Sequence, residues 1–291
     1  MVIKSKQTIK LHKLQDSPFY KLGSRVRLAK ILLIHRNRID SILNDSSNYK
    51  TFTLPSTNRF IQVPQHGMKA IHNRINDLLS RIEIPAYVMS PKKGVSYIDN
   101  AKNHIGAPNL IKTDISKFYP STTLIMIFRM FNELFECKKD IAMILAQICS
   151  FEQTHLPTGS PLSGRVAFFA SKKMFDSICD IARERNCKYT LYVDDITISG
   201  QTADGDLLKD VRKIIHGYGF YTKSKKSKIY KGFNTPKEVT GVILKEDKIF
   251  LPNKRHKKIW ETKKNYLKTN LTSEMKRYKS MEIEAKKIIN F

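Results

Sequence analysis

The sequence Tyr192-Val-Asp-Asp195 lies between two short runs in which apolar and polar residues alternate, Tyr189-Thr-Leu191 and Ile196-Thr-Ile-Ser199. This alternation predicts two β-strands, which places the adjacent aspartates in the tight turn of a hairpin. Neighbouring side chains on a regular strand point to opposite faces, whereas at a turn both carboxylates can lean the same way. Crowded carboxylates repel, and a divalent cation relieves that repulsion. A solvated Asp-Asp turn explains the four residues equally well, so a third carboxylate has to decide between the two interpretations.

Asp114 supplies that third carboxylate at the end of the apolar run Asn109-Leu-Ile-Lys-Thr-Asp114. A carboxylate that closes a buried strand is costly unless a cation meets it, although a helix N-cap is the alternative role. Between the two strand regions lies Leu156-Pro-Thr-Gly-Ser-Pro-Leu-Ser-Gly164, a loop whose backbone amides can approach a phosphate or a base pair closely. The combination predicts a site for two metal ions, in which carboxylates and basic groups support an in-line displacement at phosphorus.

The charge of the chain indicates a polyanionic partner. Its 291 residues carry 52 basic and 26 acidic side chains, a net charge of +26, which favours nucleic acid over an acidic membrane surface. Residues 221–291 hold 20 of the basic and 7 of the acidic residues, interleaved with aromatic side chains. Such a mixture suits contact with a nucleic-acid backbone and stacking on unpaired bases, the alternative being solvated helices with their aromatic residues in the core.

The composition also excludes several classes of protein. A hydrophobic content of 41% and the length indicate a globular chain with a sizeable core. No run of 18 apolar residues predicts a membrane span, and the first ten residues lack the apolar centre of a signal peptide. Four scattered cysteines without Cys-x-x-Cys spacing argue against a zinc site or a disulfide framework and suit a reducing cytosol. We therefore expect a cytoplasmic protein that handles nucleic acid and has no membrane partner.

Periodicity predicts the remaining elements. The first 48 residues carry helical signals, and Tyr49–Pro55 with Arg59–Pro64 predict a hairpin in which Arg59 is placed to grip a phosphate or is simply exposed. Residues 86–110 are rich in loops, and 238–244 predict one short strand. Further helices are predicted at Met68–Ile84, Thr122–Glu136, Ile141–Ser150, Val166–Ile181 and Asp206–Tyr218. Lys226, after the aspartate hairpin, is a candidate phosphate-side cation or general acid.

Taken in order, these motifs resemble a known family. Asp114, Leu156-Pro-Thr-Gly-Ser-Pro161, Tyr192-Val-Asp-Asp195 and the stretch from Gly219-Phe220 to Lys225-Lys226 are similar to the palm motifs of reverse transcriptases. Arg59-Phe-Ile-Gln-Val-Pro64 resembles the fingers motif whose arginine contacts the nucleotide triphosphate. Asn100-Ala-Lys-Asn-His104 and Val239-Thr-Gly241 resemble two signatures of bacterial retron reverse transcriptases. The resemblance covers about residues 49–244.

The resemblance implies an α+β fold with the architecture of a right-hand polymerase. Residues 1–48 would form a helical extension, 49–110 the fingers, 111–245 a palm of antiparallel sheet packed on helices, and 246–291 a small basic helical thumb that binds RNA. The implied activity is RNA-directed DNA synthesis, which starts from the 2′-hydroxyl of a guanosine in a cognate non-coding RNA (msr-msd) and gives branched msDNA, an RNA–DNA product. The implied role is antiphage defence with a separate effector protein, and a host RNase H would remove the template.

The same resemblance implies residue roles. Catalysis would rest on Asp114, Asp194, Asp195 and Lys226, and two Mg²⁺ ions, with Mn²⁺ as an alternative, would be held by the three aspartates and the Ile115 carbonyl. The dNTP would contact Arg59, Tyr119, Gly159 and Ser160, with Tyr119 screening the sugar 2′-position. Thr158 departs from the glutamine usual in the family, and Gly164 from a common proline. The expected RNA contacts are Asn100, His104, Val239, Thr240, Gly241, Lys254, Arg255, Lys257 and Lys258.

Two alternatives remain. Another bacterial reverse transcriptase, of the group II intron or diversity-generating type, would lack the paired signatures at 100–104 and 239–241. A nucleic-acid-binding module with an inactive polymerase site belongs to a different class, and the intact set of three aspartates argues against it.

Overall fold

The computed structural model of the chain describes residues 10–92, 94–269 and 271–289, without the side chain of residue 289. The α-helices in these ranges are α1 Arg25–Leu32, α2 Ile39–Leu43, α3 His66–Leu79, α4 Tyr97–Lys102, α5 Phe118–Ser121, α6 Leu124–Arg129, α7 Lys139–Cys149, α8 Ser163–Ala170, α9 Lys172–Glu184, α10 Gly205–Gly217, α11 Asn253–Thr269 and α12 Thr272–Ile289. The strands are β1 Tyr49–Leu54, β2 Arg59–Pro64, β3 Val88–Ser90, β4 Asn109–Asp114, β5 Lys188–Tyr192, β6 Asp195–Gly200, β7 Lys228–Tyr230, β8 Lys237–Val239, β9 Val242–Lys245 and β10 Lys248–Phe250.

The chain divides into two compact units, each built from two stretches of sequence. Unit 1 comprises the described residues up to 85 together with 116–175, and unit 2 comprises 86–115 together with those from 176 onward. Helices and mostly antiparallel sheets occur together, which confirms the α+β class. The subdomain boundaries implied by the family resemblance stay a prediction.

Unit 2 contains a five-stranded sheet in the order β3-β5-β6-β4-β7. Only the β3–β5 pair is parallel; the other three pairs are antiparallel. The three central strands are buried on both faces, since Thr190, Thr197 and Ser199 are as inaccessible as Ile196 and Ile198. The two edge strands, β3 and β7, have three residues each. The strands that carry the aspartates therefore lie inside the sheet.

A second core in unit 2 joins the three-stranded sheet β10-β9-β8 to helices α4 and α12. It is formed by small and aliphatic side chains that are less than a tenth exposed: Ile98, Ala101, Leu110, Val239, Val242, Leu244, Ile249, Leu251, Ala285 and Ile288. Helix α4 begins with a capping box, in which the Ser96 hydroxyl accepts from the Asp99 amide and the Asp99 carboxylate accepts from the Ser96 amide. This core fixes the segment that contains the first retron signature.

Unit 1 combines the β1–β2 hairpin with helices α1–α3 and α5–α8. Helix α3 buries one apolar face, consisting of Met68, Ile71, Ile75, Leu78 and Leu79. An aromatic cluster of Phe19, Phe131, Phe135 and Phe169 packs edge to face, with ring centroids 5.8–6.4 Å apart in three of its pairs. The hairpin predicted from the period change at Tyr49 is confirmed, with Tyr49 opposite Pro64 and Leu54 opposite Arg59.

Several predicted elements differ from the structure. The helix predicted to reach Ile84 ends at Leu79, because the chain turns there and Ile82 pairs with His12 in a parallel bridge. The helix predicted at 122–136 begins only at Leu124, where Thr123 caps it, and changes into a π-helix at Met130–Leu134. The predicted helix 166–181 is divided at Ser171 into α8 and α9.

The single strand predicted at 238–244 is a hairpin of β8 and β9. Thr240 and Gly241 form its turn with φ of 43° and 82°, the left-handed region that allows two strands to reverse over two residues. Among the described residues, no helix combines the length and apolar character that a bilayer crossing requires. The first nine residues, part of the helical extension predicted at 1–48, lie outside the described residues.

Candidate active site

The turn between β5 and β6 consists of Val193 and Asp194, while Asp195 is the first residue of β6 and pairs with Tyr192. The prediction that both aspartates lie in the turn is therefore half correct. Val193 has a φ of 61°, a left-handed conformation that strains a β-branched residue. Two backbone bonds hold the turn: Val193 N–H donates to the Ser90 carbonyl at 3.3 Å, and Ile115 N–H donates to the Asp194 carbonyl at 3.1 Å.

Strand β4 brings Asp114 beside this turn. Asp114 is directly opposite Asp195 in the antiparallel β4–β6 pair, so both side chains leave the same face of the sheet. Only 6% of Asp114 is exposed. The turn and the strand pairing thus assemble the three aspartates that the sequence predicted as one site.

Two lysines complete the cluster. Lys223 Nζ lies 2.5 Å from Asp114 Oδ1, and Lys226 Nζ lies 2.6 Å from Asp114 Oδ2. A short 3₁₀ turn at Ser224–Lys226 sets the spacing, and Lys223 N–H donates to the Asp114 carbonyl at 2.9 Å. We call Asp114, Asp194, Asp195, Lys223 and Lys226 the aspartate–lysine cluster.

The electrostatics of this cluster show a surplus of negative charge. Burial raises the pKa of Asp195 to about 6; the nearby carboxylates of Asp114 and Asp194 add to the rise, and Lys112 and Lys226 oppose it. Burial and the charge of Asp114 also raise the pKa of Asp194. The hydrogen bond to Asp114 raises the pKa of Lys226. Burial and carboxylate repulsion thus disfavour the charged forms of Asp194 and Asp195 more than the nearby lysines favour them, and a bound cation would relieve both effects.

Sequence reasoning found Lys226 but missed Lys223. The available signal was the spacing of three residues between them, which places both on one side of a single 3₁₀ turn. Ile115, predicted to offer its carbonyl to a metal, is fully buried next to Asp114 and forms a bridge with Thr222. No set of three acidic, histidine or cysteine side chains within 10–92, 94–269 and 271–289 already encloses a metal position.

The four predicted dNTP contacts lie in unit 1. Arg59 is exposed at the start of β2, and Tyr119 is half-buried in α5. Gly159 contacts β2, with its N–H 3.0 Å from the Gln62 carbonyl, and a Cβ built at Gly159 would lie 2.7 Å from that oxygen. Only glycine permits this approach. Ser160 Oγ lies 2.7 Å from Nδ1 of the buried His72.

Two of the predicted RNA contacts are inside unit 2. His104 is 1% exposed, and its ring nitrogens lie 2.7 Å from Ser199 Oγ and 2.7 Å from Thr190 Oγ1. Burial lowers its pKa to about 3, so the imidazole is neutral, donating to one hydroxyl and accepting from the other. Asn100 is fully buried. In this fold neither side chain presents a surface to RNA, because each is enclosed.

The two retron signatures meet at Asn100. Its Nδ2 donates to Thr240 Oγ1 at 3.3 Å, and the Thr240 hydroxyl donates to the Tyr97 carbonyl at 2.8 Å. Val239 is buried, whereas Thr240 and Gly241 are partly exposed at the β8–β9 turn. The signatures thus act together to place this turn, and only the turn itself reaches the surface.

The four basic residues of α11 that were predicted to contact RNA also differ in exposure: three reach solvent and one is engaged within the fold. Lys254, Lys257 and Lys258 are exposed. Arg255 donates to the Tyr97 hydroxyl at 2.6 Å and to Glu284 at 2.8 Å, and its guanidinium lies 4.8 Å from the centre of the Tyr97 ring. Arg255 therefore connects α11 to α4 and α12.

Comparison with known proteins identifies the family. Residues 47–281 match the family described as reverse transcriptase (RNA-dependent DNA polymerase), which covers far more than half of the chain. The chain belongs to the reverse transcriptase family. This family uses divalent metal ions and dNTPs.

Curated proteins that the chain resembles include several retron reverse transcriptases. The chain is 29% identical over 209 residues to the retron Ec86 reverse transcriptase of Escherichia coli, covering 69% of this chain and 63% of that protein. It is 29% identical over 203 residues to the retron Se72 reverse transcriptase of Salmonella heidelberg, covering 65% and 52%. The match thus spans between half and two thirds of these relatives. A solved telomerase from Candida albicans aligns with a TM-score of 0.49 at 12% identity, covering 73% of this chain and 46% of that one.

Proposed function

We propose that this reverse transcriptase synthesises DNA on an RNA template, with the aspartate–lysine cluster as its catalytic centre. The observation that carries the proposal is that Asp114 and Asp195 lie opposite each other in the β4–β6 pair, with Asp194 in the adjoining turn close to Asp114, in a chain of this family. Burial, with a smaller contribution from the neighbouring carboxylates, raises the pKa values of Asp194 and Asp195, and a cation bound beside them would oppose that rise.

The donor set fits Mg²⁺, a hard cation that binds carboxylate and carbonyl oxygens, and Mn²⁺ has similar preferences. Asp114, Asp194 and Asp195 with the Ile115 carbonyl would hold the ions, and Asp114 would exchange lysine contacts for metal contacts. When bound, two such ions activate the attacking hydroxyl and neutralise the charge of the leaving pyrophosphate.

The chain's own cations and polar groups supply the rest. Lys226, once released from Asp114, would provide positive charge and a proton near the leaving group. Arg59 would bind the triphosphate, which suits the planar donor array of its guanidinium. Gly159 and Ser160 would line the nucleotide, and Tyr119 would screen the sugar 2′-position against ribonucleotides. Most of these groups act by position and charge, as phosphoryl transfer requires.

The names of the relatives and the two signatures support a retron system. The template would be a cognate structured RNA (msr-msd), with a guanosine 2′-hydroxyl as primer and branched msDNA as product. Antiphage defence with a separate effector, and template removal by a host RNase H, complete the proposal. The exposed Lys254, Lys257 and Lys258 of α11 and the β8–β9 turn are the proposed RNA contacts.

The catalytic assignment is tested by replacing Asp194 and Asp195 with asparagine. We expect dNTP incorporation on an RNA template to fall by more than about 10³-fold, because the ions lose their charged ligands, while RNA affinity is retained. Asp247→Asn, an exposed aspartate of the same unit, is the matched control. Unchanged DNA synthesis by the double variant would contradict the assignment.

The retron assignment is tested by sequencing the nucleic acid that copurifies with the full chain. One branched RNA–DNA species with a 2′–5′ linkage is expected. Unbranched product primed from a 3′-end would favour another type of bacterial reverse transcriptase, and RNA without any DNA would favour an inactive binding module.

A further inference from the structure

The Leu156–Gly164 loop and strand β2 of unit 1 are joined by a buried glutamine. Gln62 is 3% exposed and lies in the middle of β2. Its Oε1 accepts from the Thr158 amide at 2.9 Å and lies 2.8 Å from Thr158 Oγ1. Its Nε2 lies 3.3 Å from His155 Nε2. We call Gln62, His155, Thr158 and Gly159 the Gln62 clamp.

Main-chain groups add further bonds between the loop and β2, with one N–H group donated from each side. Gly159 N–H donates to the Gln62 carbonyl at 3.0 Å, and Gln62 N–H points to Thr158 Oγ1 at 3.4 Å. Thr158 Oγ1 also lies 3.0 Å from the Phe60 carbonyl, so its single proton serves that oxygen or Gln62 Oε1. One main-chain hydrogen bond and several contacts of the Gln62 and Thr158 side chains therefore join the loop to β2.

The other end of the loop is fixed independently. His72 is fully buried, and its Nε2 lies 2.8 Å from the Ile148 carbonyl, which can only accept; Nε2 therefore carries the proton. Burial lowers the pKa of His72 to about 4, so Nδ1 is free to accept from the Ser160 hydroxyl at 2.7 Å. Ser160 is thus held by α3 and Thr158 by β2, which leaves Gly159 in a defined position between them.

Strand geometry connects the clamp to Arg59. Side chains alternate along β2, so Gln62 points to the loop while Arg59, three residues earlier, points to the opposite face of the hairpin. Tyr49 of β1 and Phe60 of β2 make edge-to-face ring contacts with Phe151. The Gln62 clamp supplies the polar contacts between this hairpin and the Leu156–Gly164 loop. Loss of the clamp would free the hairpin that carries Arg59 and the loop that carries Gly159 to move separately.

We propose that Gln62 is a positioning residue for the incoming nucleotide: it keeps Arg59 and the Gly159–Ser160 backbone in fixed register through Thr158. The inference rests on the proposed function, in which those groups contact the dNTP. Because Gln62 is buried, we expect it to act on the nucleotide only through the groups that it holds. Its effect is on the nucleotide KM, whereas the aspartate–lysine cluster, with which it shares no residue, governs the chemical step.

The test uses single-nucleotide incorporation by the full chain on an RNA template with an annealed DNA primer. Gln62→Leu keeps the volume but removes both polar atoms, and Thr158→Val removes one hydroxyl at constant shape. We expect the dNTP KM to rise about tenfold for Gln62→Leu and about threefold for Thr158→Val, the scale of one or two neutral hydrogen bonds, with kcat changed less than about twofold. Thr158→Ser, which keeps the hydroxyl, restores the wild-type KM.

Controls separate this role from general stability. Thr53→Val alters an exposed threonine of the same hairpin and leaves KM unchanged. Hydrogen–deuterium exchange of residues 59–64 and 156–164 is expected to accelerate about tenfold in Gln62→Leu, with helix α7 unaffected, and this readout needs no activity. The double variant raises KM by less than the product of the two single effects, because both changes remove the Gln62 Oε1–Thr158 contacts.

Three outcomes overturn the inference. The first is an unchanged KM in both Gln62→Leu and Thr158→Val. The second is a parallel fall of kcat and melting temperature with KM unchanged. The third is faster hydrogen–deuterium exchange throughout unit 1. If Gln62→Leu does not fold, the Thr158→Val and Thr158→Ser pair decides by the same KM criterion. An inactive wild-type enzyme would contradict the proposed function instead, and exchange would still report whether the clamp couples hairpin and loop.

Discussion

The aspartate–lysine cluster of unit 2 and the Gln62 clamp of unit 1 hold their parts of the molecule by different interactions. The cluster has three carboxylates and two ammonium groups, and Lys223 and Lys226 are about a third and a half exposed. The clamp consists of neutral groups around a buried amide. Charged groups near solvent can exchange partners, whereas buried neutral hydrogen bonds are lost only at a large desolvation cost.

This difference indicates a division of roles. The cluster is suited to exchange partners, because the lysine contacts of Asp114 can be replaced by other cations. The clamp is suited to keep one geometry throughout. Substitutions in the aspartate–lysine cluster should therefore act mainly on kcat, and those at buried neutral contacts such as the Gln62 clamp mainly on KM or stability.

The largest effect is expected in the cluster. Lys226→Gln should lower kcat about 100-fold, within the range for loss of a general acid or a phosphate-side cation, while the dNTP KM changes little. Lys228→Gln, which removes an exposed cation two residues further along that is paired with Glu238, is the control and should be almost neutral. Equal losses for the two variants, measured by single-turnover incorporation, would contradict a specific role for Lys226.

The neutral His104 contacts should affect stability more than catalysis. His104→Leu leaves the buried hydroxyls of Ser199 and Thr190 without their partner, which should lower the free energy of unfolding by about 2 kcal/mol. Urea unfolding followed by circular dichroism measures this. His256→Leu, at an exposed position of α11, should change the unfolding free energy by less than about 0.5 kcal/mol. An equal loss of unfolding free energy in His256→Leu would contradict a specific stabilising role for the His104 contacts.

Buried neutral histidines also predict a pH dependence. The pKa values of His104 and His72 are lowered to about 3 and about 4, so below their unfolded value of 6.5 the unfolded chain binds protons that the folded chain does not. Stability is therefore lost as pH falls below 6.5, by about 1.4 kcal/mol per pH unit for each histidine. His104→Gln should show a shallower loss between pH 7 and 5.5 than the wild type. An identical pH slope in the two proteins would mean that the fold does not lower the pKa of His104.

The smallest effect per residue is expected on α11. Replacing Lys254, Lys257 and Lys258 together by Gln should weaken binding to the cognate RNA and reduce the slope of log K against log salt by about 0.7–0.9 for each phosphate that is no longer neutralised. The exposed Lys30, Lys69 and Lys139 of unit 1 provide a control with the same change in charge. If both triple variants reduce the slope equally, net charge rather than α11 determines the affinity.

Local patterns predicted the strands around Asp114 and Asp195 and the β1–β2 hairpin, because alternation and turn residues are encoded within a few positions. The three-aspartate site followed from those strands. Helix ends were less predictable: the end of α3 at Leu79 depends on the pairing of Ile82 with His12, about 70 residues away in sequence, and the break at Ser171 has no glycine or proline to mark it.

Side-chain networks between distant segments were not predictable from one sequence. Gln62 meets Thr158 across 96 positions, and His104 meets Ser199 across 95. In the sequence Thr158 stands out only as a departure from the family pattern, and its role becomes visible once β2 is placed against the loop. His104 was expected at an RNA surface, but it packs against Thr190 of β5 and Ser199 of β6, and all three residues are buried. Hydropathy alone assigns such polar residues to solvent.

The arrangement of the five-stranded sheet also bears on how the protein behaves at high concentration. Both of its edges are strands of only three residues, and one of them carries Lys228. Short edges with charged side chains offer few unpaired backbone groups to a second molecule, which disfavours edge-to-edge aggregation. The longer aspartate-bearing strands are paired on both sides, so a slip in their register would break two ladders at once. This order of strands therefore leaves only the two short strands of the five-stranded sheet open to pairing with a second molecule.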